Sequence, residues 1–145
     1  MKKLALFILL PILTTTAFAS APHWSDDLKR IETGKQAWLD KVPEMAATAN
    51  VEQAIKLEDA LSTALSKNTQ GTLKTLRILD SQSWPHMIGS DIVCSVPVEQ
   101  SGNLVESFYQ KTRMALLDTD AGANCLWILE ASYEEWKADN RRQKK

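Results

Sequence analysis

Residues 50–79 have the sequence NVEQAIKLEDALSTALSKNTQGTLKTLRIL, and this stretch decides the fold. Asn50 and Gln53 have the spacing of a capping box, in which each side chain bonds the other's backbone N–H at a helix start. Apolar residues then recur three and four positions apart, which is typical of one helix face. Asn68 predicts a break, so we expect two helices joined as a hairpin. The predicted inward residues are Val51, Ala54, Ile55, Leu57, Leu61, Ala64, Leu65, Leu73, Leu76 and Leu79.

The flanking sequence predicts further helices. Ser25 and the two acids after it are typical of a helix start. Gly34 leaves open whether this first run is continuous or broken, and Pro43 ends or kinks it. Residues 91–96 fit a short strand or a short helix, and we favour the helix because no partner strand is visible. The inward residues of the last two predicted helices are Leu104, Val105, Phe108, Thr112, Ala115 and Leu116, then Cys125, Leu129, Tyr133 and Trp136.

The composition supports the same fold class. Ala, Leu, Lys, Glu and Gln dominate, and all of them favour helices. Gly and Pro number only five each. We therefore predict an all-α protein, a compact bundle of five to six helices with one disulfide.

The first nineteen residues have the form of a secretory signal peptide. Lys2 and Lys3 form a basic start, an apolar run follows, and Ala19 ends a small-residue cleavage site. We expect cleavage near Ala19 and a periplasmic or secreted product, the alternative being an uncleaved N-terminal anchor. Residues 20–136 are then a single helical domain, and residues 137–145 form a basic flexible tail that frays.

The charge of the mature chain excludes one class of partner. Loss of Lys2 and Lys3 from the 17 basic residues leaves 15 against 18 acidic residues, a net charge of -3. Nucleic acid attracts a basic surface, so we expect no nucleic-acid partner. No apolar run after the signal is long enough to span a membrane, so we predict no transmembrane segment in the mature form.

The chain has only two cysteines, Cys94 and Cys125. In an exported protein an even pair is typical of a disulfide. The loop it would close is about 31 residues long, for which chain entropy predicts a stabilisation of roughly 3–4 kcal/mol.

The sequence offers few residues for chemistry. It has two histidines, and it lacks a phosphate-binding glycine loop, an HExxH motif and a Gly-x-Ser-x-Gly motif. His86 follows Trp84 in an irregular stretch, but one His beside one Met is too few ligands for a metal. We predict no catalytic residues, no metal site and no cofactor.

Glu58 and Arg77 form a candidate buried acid pair. Helical spacing places Glu58 within the apolar stripe, and a carboxylate there needs a partner or a raised pKa. Arg77 points near the same side of the next helix. The functional interpretation is a buried acid at a site. The alternatives are that the two residues pair, or that Glu58 lies at the edge of the stripe.

Trp127, Ile128 and Ala131 form a candidate binding surface. Trp127 points almost opposite Leu129 on the last helix, so it is either exposed or covered from another side. An exposed Trp is typical of a protein-binding surface. We favour burial, because Cys125 pins that end of the helix into the fold.

The middle half of the chain carries a further pattern. Its residues are Trp38-Leu39, Val42-Pro43, Ala60-Leu61, Ala64-Leu65, Asn68, Leu73, Leu76 and the run Ile92-Val93-Cys94-Ser95-Val96-Pro97. The pattern loosely resembles a group of uncharacterised small exported helical proteins of proteobacteria. The resemblance implies export, helices and a cysteine pair, and it brings no catalytic residues.

We therefore expect a small periplasmic protein-binding module without catalytic activity. One specific version is an immunity protein that neutralises a secreted toxin, by analogy with small exported helical proteins of that class. The alternative is an envelope enzyme or small-ligand binder that uses the Glu58/Arg77 or the Trp84–His86 region. A pocket converging on those residues would favour the alternative.

Overall fold

The computed structural model describes residues 23–143, and the predicted signal peptide lies outside the described residues. Within that range the secondary structure is entirely helical, with six helices of seven or more residues, as predicted. The helices are α1 (Trp24–Ile31), α2 (Gln36–Leu39), α3 (Val42–Thr48), α4 (Val51–Leu65), α5 (Thr69–Asp80), α6 (Ser90–Val93), α7 (Gly102–Leu117) and α8 (Ala123–Gln143), with a 3-10 turn at Asp120–Gly122 before α8.

The hairpin α4–α5 forms as predicted. The Gln53 backbone N–H donates to Asn50 Oδ1 at 2.9 Å, and the Asn50 N–H donates to Gln53 Oε1 at 2.9 Å, which completes the capping box. Asn68 also starts the next helix, because its Oδ1 accepts from the Gly71 N–H. The apolar stripe is narrower than predicted, since Val51 and Ile55 are exposed. The buried residues of the pair are Ala54, Leu57, Ala60, Leu61, Ala64, Leu65, Leu73, Leu76 and Leu79.

The N-terminal run is broken at Gly34. This residue has φ +73°, a left-handed conformation that favours glycine. Asn68 Nδ2 donates to the Gly34 carbonyl at 2.7 Å, and Lys67 Nζ donates to the Glu32 carbonyl at 2.7 Å. The turn is thereby fastened to the joint of the central hairpin. Pro43 lies in the first turn of α3, where a missing N–H costs nothing.

The helices α7 and α8 pack against each other through two tyrosines. Tyr109 and Tyr133 stack with ring centroids 3.6 Å apart. Tyr109 Oη donates to Glu130 Oε2 at 2.7 Å, and Tyr133 Oη donates to Glu106 Oε2 at 2.5 Å. Arg113 Nε also bonds Glu130, at 2.6 Å. Each glutamate thus receives a hydrogen bond from a tyrosine of the other helix.

The predicted disulfide between Cys94 and Cys125 is present, with the Cα atoms 5.3 Å apart. Cys94 directly follows α6, and Cys125 lies in the first turn of α8. Both residues are buried. The bond therefore fastens α8 to the short helix that packs on α4.

The helix α8 runs past the predicted domain boundary at residue 136. It continues to Gln143, so residues 137–143 are helical. Lys137 pairs with Glu134 at 2.6 Å and Arg142 pairs with Asp139 at 3.0 Å, both three residues apart. Such pairs favour the helix. The fraying of this end stays a prediction.

None of the described helices is both long and apolar enough to cross a membrane.

Candidate functional site

An open groove of about 990 Å³ lies between α4 and α8. The chain from Ser95 to Gly102 lies along it, directly after α6. Because α6 packs on both α4 and α8, it holds the two helices apart and leaves the groove between them. We call this the acidic groove, after the carboxylates that line it. They are Glu58 and Asp59 on α4, Glu99 after α6, and Glu135 and Asp139 on α8.

The floor of the groove is fixed to both walls. Ser62 Oγ of α4 donates to the Val93 carbonyl at 3.0 Å. The Val96 N–H donates to Ser132 Oγ of α8 at 3.1 Å. The disulfide at Cys94 lies between these two bonds along the chain. The segment that carries Glu99 therefore leaves from a well-anchored point.

The charge of the groove is one-sided. No lysine, arginine or histidine of residues 23–143 is among the residues that line it. Asp139 has one partner, Arg142 Nη2 at 3.0 Å, on the same exposed helix face. The other four carboxylates form no salt bridge or side-chain hydrogen bond with any described residue. Within residues 23–143 the groove therefore concentrates negative charge, and Asp139 is the one lining carboxylate there with a counter-charge.

Burial and repulsion change the acidity of the α4 pair. Burial raises the pKa of Glu58 to about 7, and the neighbouring charge of Asp59 adds to the rise. Burial likewise raises the pKa of the Asp59 carboxyl, with further contributions from the charges of Glu99 and Glu32. Near neutral pH, Glu58 is therefore divided between its protonated and its charged form.

Apolar surface lies beside these carboxylates. Ile92 is 57% exposed and Val98 is 60% exposed. Phe108 and Trp136 are half-buried and line the groove as well. The groove thus offers both apolar contact and negative charge. That combination suits a ligand that carries cations on an apolar frame.

The structure places Glu58 and Arg77 apart. Arg77 is exposed and lines a second cleft of about 350 Å³, together with Lys74 and Gln36. Among residues 23–143 no salt bridge joins Glu58 to Arg77. Glu58 is half-buried at the groove, which fits the alternative that it lies at the edge of the apolar stripe. The two residues therefore do not make one site.

The Trp84–His86 region lies in the loop between α5 and α6. Trp84 Nε1 donates to the Leu79 carbonyl at 2.7 Å, so the ring ties the loop to the end of α5. Met87 follows with φ 53° and is 85% exposed. Neither Trp84 nor His86 lines the acidic groove. Within the described range no three His, Cys, Asp or Glu side chains lie close enough to hold a metal ion.

Trp127 is 71% exposed, against our expectation of burial. Trp127 and Ala131, about one turn apart on α8, are both exposed, whereas Ile128 is half-buried and packs against the core. A binding role for this exposed patch stays a prediction. The disulfide pins only one face of the helix. Since Trp127 comes two positions after Cys125, it points away from the buried face that carries Cys125 and Leu129.

Comparison of the chain with protein-family models, with curated proteins and with solved structures finds no match.

The sequence-based prediction found Glu58 but missed its neighbours in the groove. One signal was local, because Glu135 and Asp139 lie four residues apart and so share a face of α8. That spacing is also ordinary for a solvated helix. Only the packing of α4, α6 and α8 brings these acids together with Glu58.

Proposed function

We propose that this protein is a small protein-binding module without catalytic activity, and that its acidic groove binds a basic, amphipathic segment of a protein partner. The observation that carries the proposal is the set of four carboxylates that have no salt bridge within residues 23–143, beside exposed apolar side chains. Complementary charge is a common basis of partner choice. A nucleic acid is disfavoured as a partner, because its phosphates would be repelled.

The charge of the groove calls for cations in the ligand. Glu58, Asp59 and Glu99 lie near one another and raise the cost of charging the α4 pair. A lysine or arginine side chain between them would relieve this repulsion. Its alkyl stem would contact apolar surface such as Val98, as such stems do at many interfaces.

The shape of the groove suits a segment rather than a flat surface. Its walls are α4 and α8, and the chain from Ser95 to Gly102 forms its floor. Amphipathic helices bind in grooves of this kind with their apolar side inward. Hydrogen bonds from Ser62 and to Ser132 hold the floor in place, so little ordering is needed on binding.

A peptide-binding measurement tests the proposal. The probe is a short synthetic peptide of lysine and leucine, and the control is the same peptide with glutamate for lysine. We expect calorimetry to detect the lysine peptide alone. Glu135→Gln should weaken binding by about fivefold, or roughly 1 kcal/mol. Glu44→Gln, an exposed acid of α3 outside the groove, is the matched control and should leave the affinity unchanged.

Two results would contradict the proposal. One is equal binding of the lysine and the glutamate peptide. The other is an equal loss of affinity in the Glu135→Gln and Glu44→Gln variants, since loss of negative charge anywhere would then suffice.

The proposed compartment is the periplasm or the exterior. A disulfide within the fold is typical of oxidising compartments. The predicted signal peptide, with its cleavage site near Ala19, supports the same compartment. Mass spectrometry of the protein purified from periplasmic extract should find Ser20 at the N-terminus.

An immunity protein is one specific version of this function. In that version the basic segment belongs to a secreted toxin, and occupation of the groove blocks the toxin. Protection of a toxin-producing strain by the wild-type protein, and its loss with a charge-neutralised groove, would support this version. Protection by both would refute a role for the groove.

The alternative is an enzyme or a small-ligand binder. One observation favours it, because a carboxyl group with a pKa near 7 is suited to acid–base catalysis. The enzyme alternative rests on Glu58 alone, since Arg77 and the Trp84–His86 loop lie outside the groove. Hydrolase activity that is abolished by Glu58→Gln, in a protein that fails to bind the lysine peptide, would favour this alternative.

A further inference from the structure

The α4 pair of the groove, Glu58 and Asp59, lies where protons and cations would compete. Glu58 is half-buried and Asp59 is more exposed. Neither carboxylate has a salt bridge in the described part of the chain. A carboxylate in such a place is neutralised either by a proton or by a cation from outside.

Among residues 23–143, the charged groups that line the groove or act on the pair are all acidic. Glu32 follows α1, Glu99 follows α6, and Glu135 and Asp139 come from α8. The helices α3, α5 and α7 contribute no charged residue to the lining. The cation that pairs with a lining carboxylate in the described residues is Arg142, which bonds Asp139 at the exposed end of α8. The immediate surroundings of Glu58 therefore favour its neutral form.

We infer that a cationic segment entering the acidic groove displaces the proton of Glu58, so that the protein binds its partner near neutral pH and releases it in acid. The inference rests on the proposed function, because it concerns the same groove and the same class of partner. It adds a proton-linked control of binding. The cation and the proton compete for the same carboxylate oxygens.

The sign of the effect follows from linkage. Burial and Asp59 raise the pKa of free Glu58 to about 7, and a bound cation lowers it again toward the ordinary 4.5. Binding then releases a proton wherever the pH lies between these values. Affinity should fall by about tenfold to thirtyfold from about pH 8 to about pH 5.5. A lysine side chain stays charged over this range, so the ligand itself does not cause the change.

The test is calorimetric titration of the full mature protein with the lysine–leucine peptide across that pH range. Each titration is repeated in buffers of different ionisation enthalpy, which reports the protons released on binding. Wild type should release about one proton per peptide near pH 6. Glu58→Gln should bind at pH 8 and lose most of the pH dependence. Glu135→Gln should bind more weakly at every pH and keep the dependence.

The outcomes separate this inference from the proposed function. Binding at pH 8 that is unchanged in acid, without proton release, overturns the inference and leaves the binding function intact. Absence of peptide binding at every pH overturns the proposed function. An equal pH dependence in wild type and Glu58→Gln assigns the protons to another group and also overturns the inference.

Discussion

Glu130 and Glu58 are both glutamates on long helices, but their surroundings displace the two pKa values in opposite directions. Hydrogen bonds from Tyr109, and then from Arg113 together with its charge, lower the pKa of Glu130 despite partial burial. Glu58 has no such donor among residues 23–143, and burial raises its pKa to about 7. The α7–α8 contact therefore satisfies its carboxylates, whereas the acidic groove leaves its own available to a ligand.

The two regions differ in whether their carboxylates already accept hydrogen bonds from side chains of the described residues. A carboxylate that already accepts charged or phenolic hydrogen bonds has little to gain from a ligand. A desolvated carboxylate among like charges has much to gain. Exposure alone would not make this distinction, because Glu58 and Glu130 are both half-buried.

The largest predicted effect comes from the disulfide, which fastens α8. This helix carries Glu130 of the α7–α8 contact as well as Glu135 and Asp139 of the groove. The double variant Cys94→Ala/Cys125→Ala should lose about 3–4 kcal/mol of unfolding free energy, because a loop of 31 residues is no longer closed in the unfolded chain. Urea denaturation measures the loss. A loss below about 1 kcal/mol would mean that packing alone holds α8 in place.

The next effect is a gain in stability. Glu58→Gln should raise the unfolding free energy by about 1 kcal/mol at about pH 8, after allowance for solvent screening. Because the folded pKa is raised, the cost of the charged form is absent below the ordinary 4.5 and complete above about 7. The gain should therefore vanish at about pH 4. Urea denaturation at both pH values provides the check, and a loss of stability at pH 8 would contradict the account.

The same substitution at Glu130 should change the unfolding free energy in the opposite direction. Glu130→Gln should lower the unfolding free energy by about 0.5 kcal/mol at neutral pH, since solvent partly screens the half-buried Arg113–Glu130 pair. Because the folded pKa is lowered, the contribution is present above the ordinary value and is lost as the pH falls through the folded pKa. The same urea titrations measure it. Equal signs for the two variants would remove the distinction between the two regions.

The smallest effect is expected at the exposed patch. Trp127→Ala should change the unfolding free energy by less than about 0.5 kcal/mol, because the ring is 71% exposed. It should also leave the affinity for the lysine peptide unchanged, since Trp127 lies outside the groove. Thermal unfolding and calorimetry make the two measurements. Weakened peptide binding would place part of the site on this patch.

Local signals in the sequence were enough for much of the fold. The Asn50–Gln53 capping box and the cysteine pair depend on neighbouring residues or on simple pairing, and both are present. The sequence left a break at Gly34 open, and the structure has one. The end of α8 was harder to predict. Its last residues lack an apolar stripe, and short-range pairs such as Arg142–Asp139 accompany the helix instead.

The site was predictable only in part. The position of Glu58 in an apolar stripe indicated an unusual carboxylate, but the choice of Arg77 as its partner relied on helical spacing alone. Spacing within one helix does not fix how neighbouring helices rotate about their axes. The contacts of α6 with both α4 and α8 set the groove, and those contacts join residues far apart in the sequence.

The most direct test of the account is an NMR titration of the Glu58 side-chain carboxyl carbon in the mature protein, without and with the lysine–leucine peptide. We predict a midpoint near 7 in the free protein and a clearly lower midpoint in the complex. Two results would contradict the claim that the groove carboxylates bind a cation. One is a Glu58 titration midpoint near the ordinary 4.5 in the free protein, and the other is a midpoint that the bound peptide does not change.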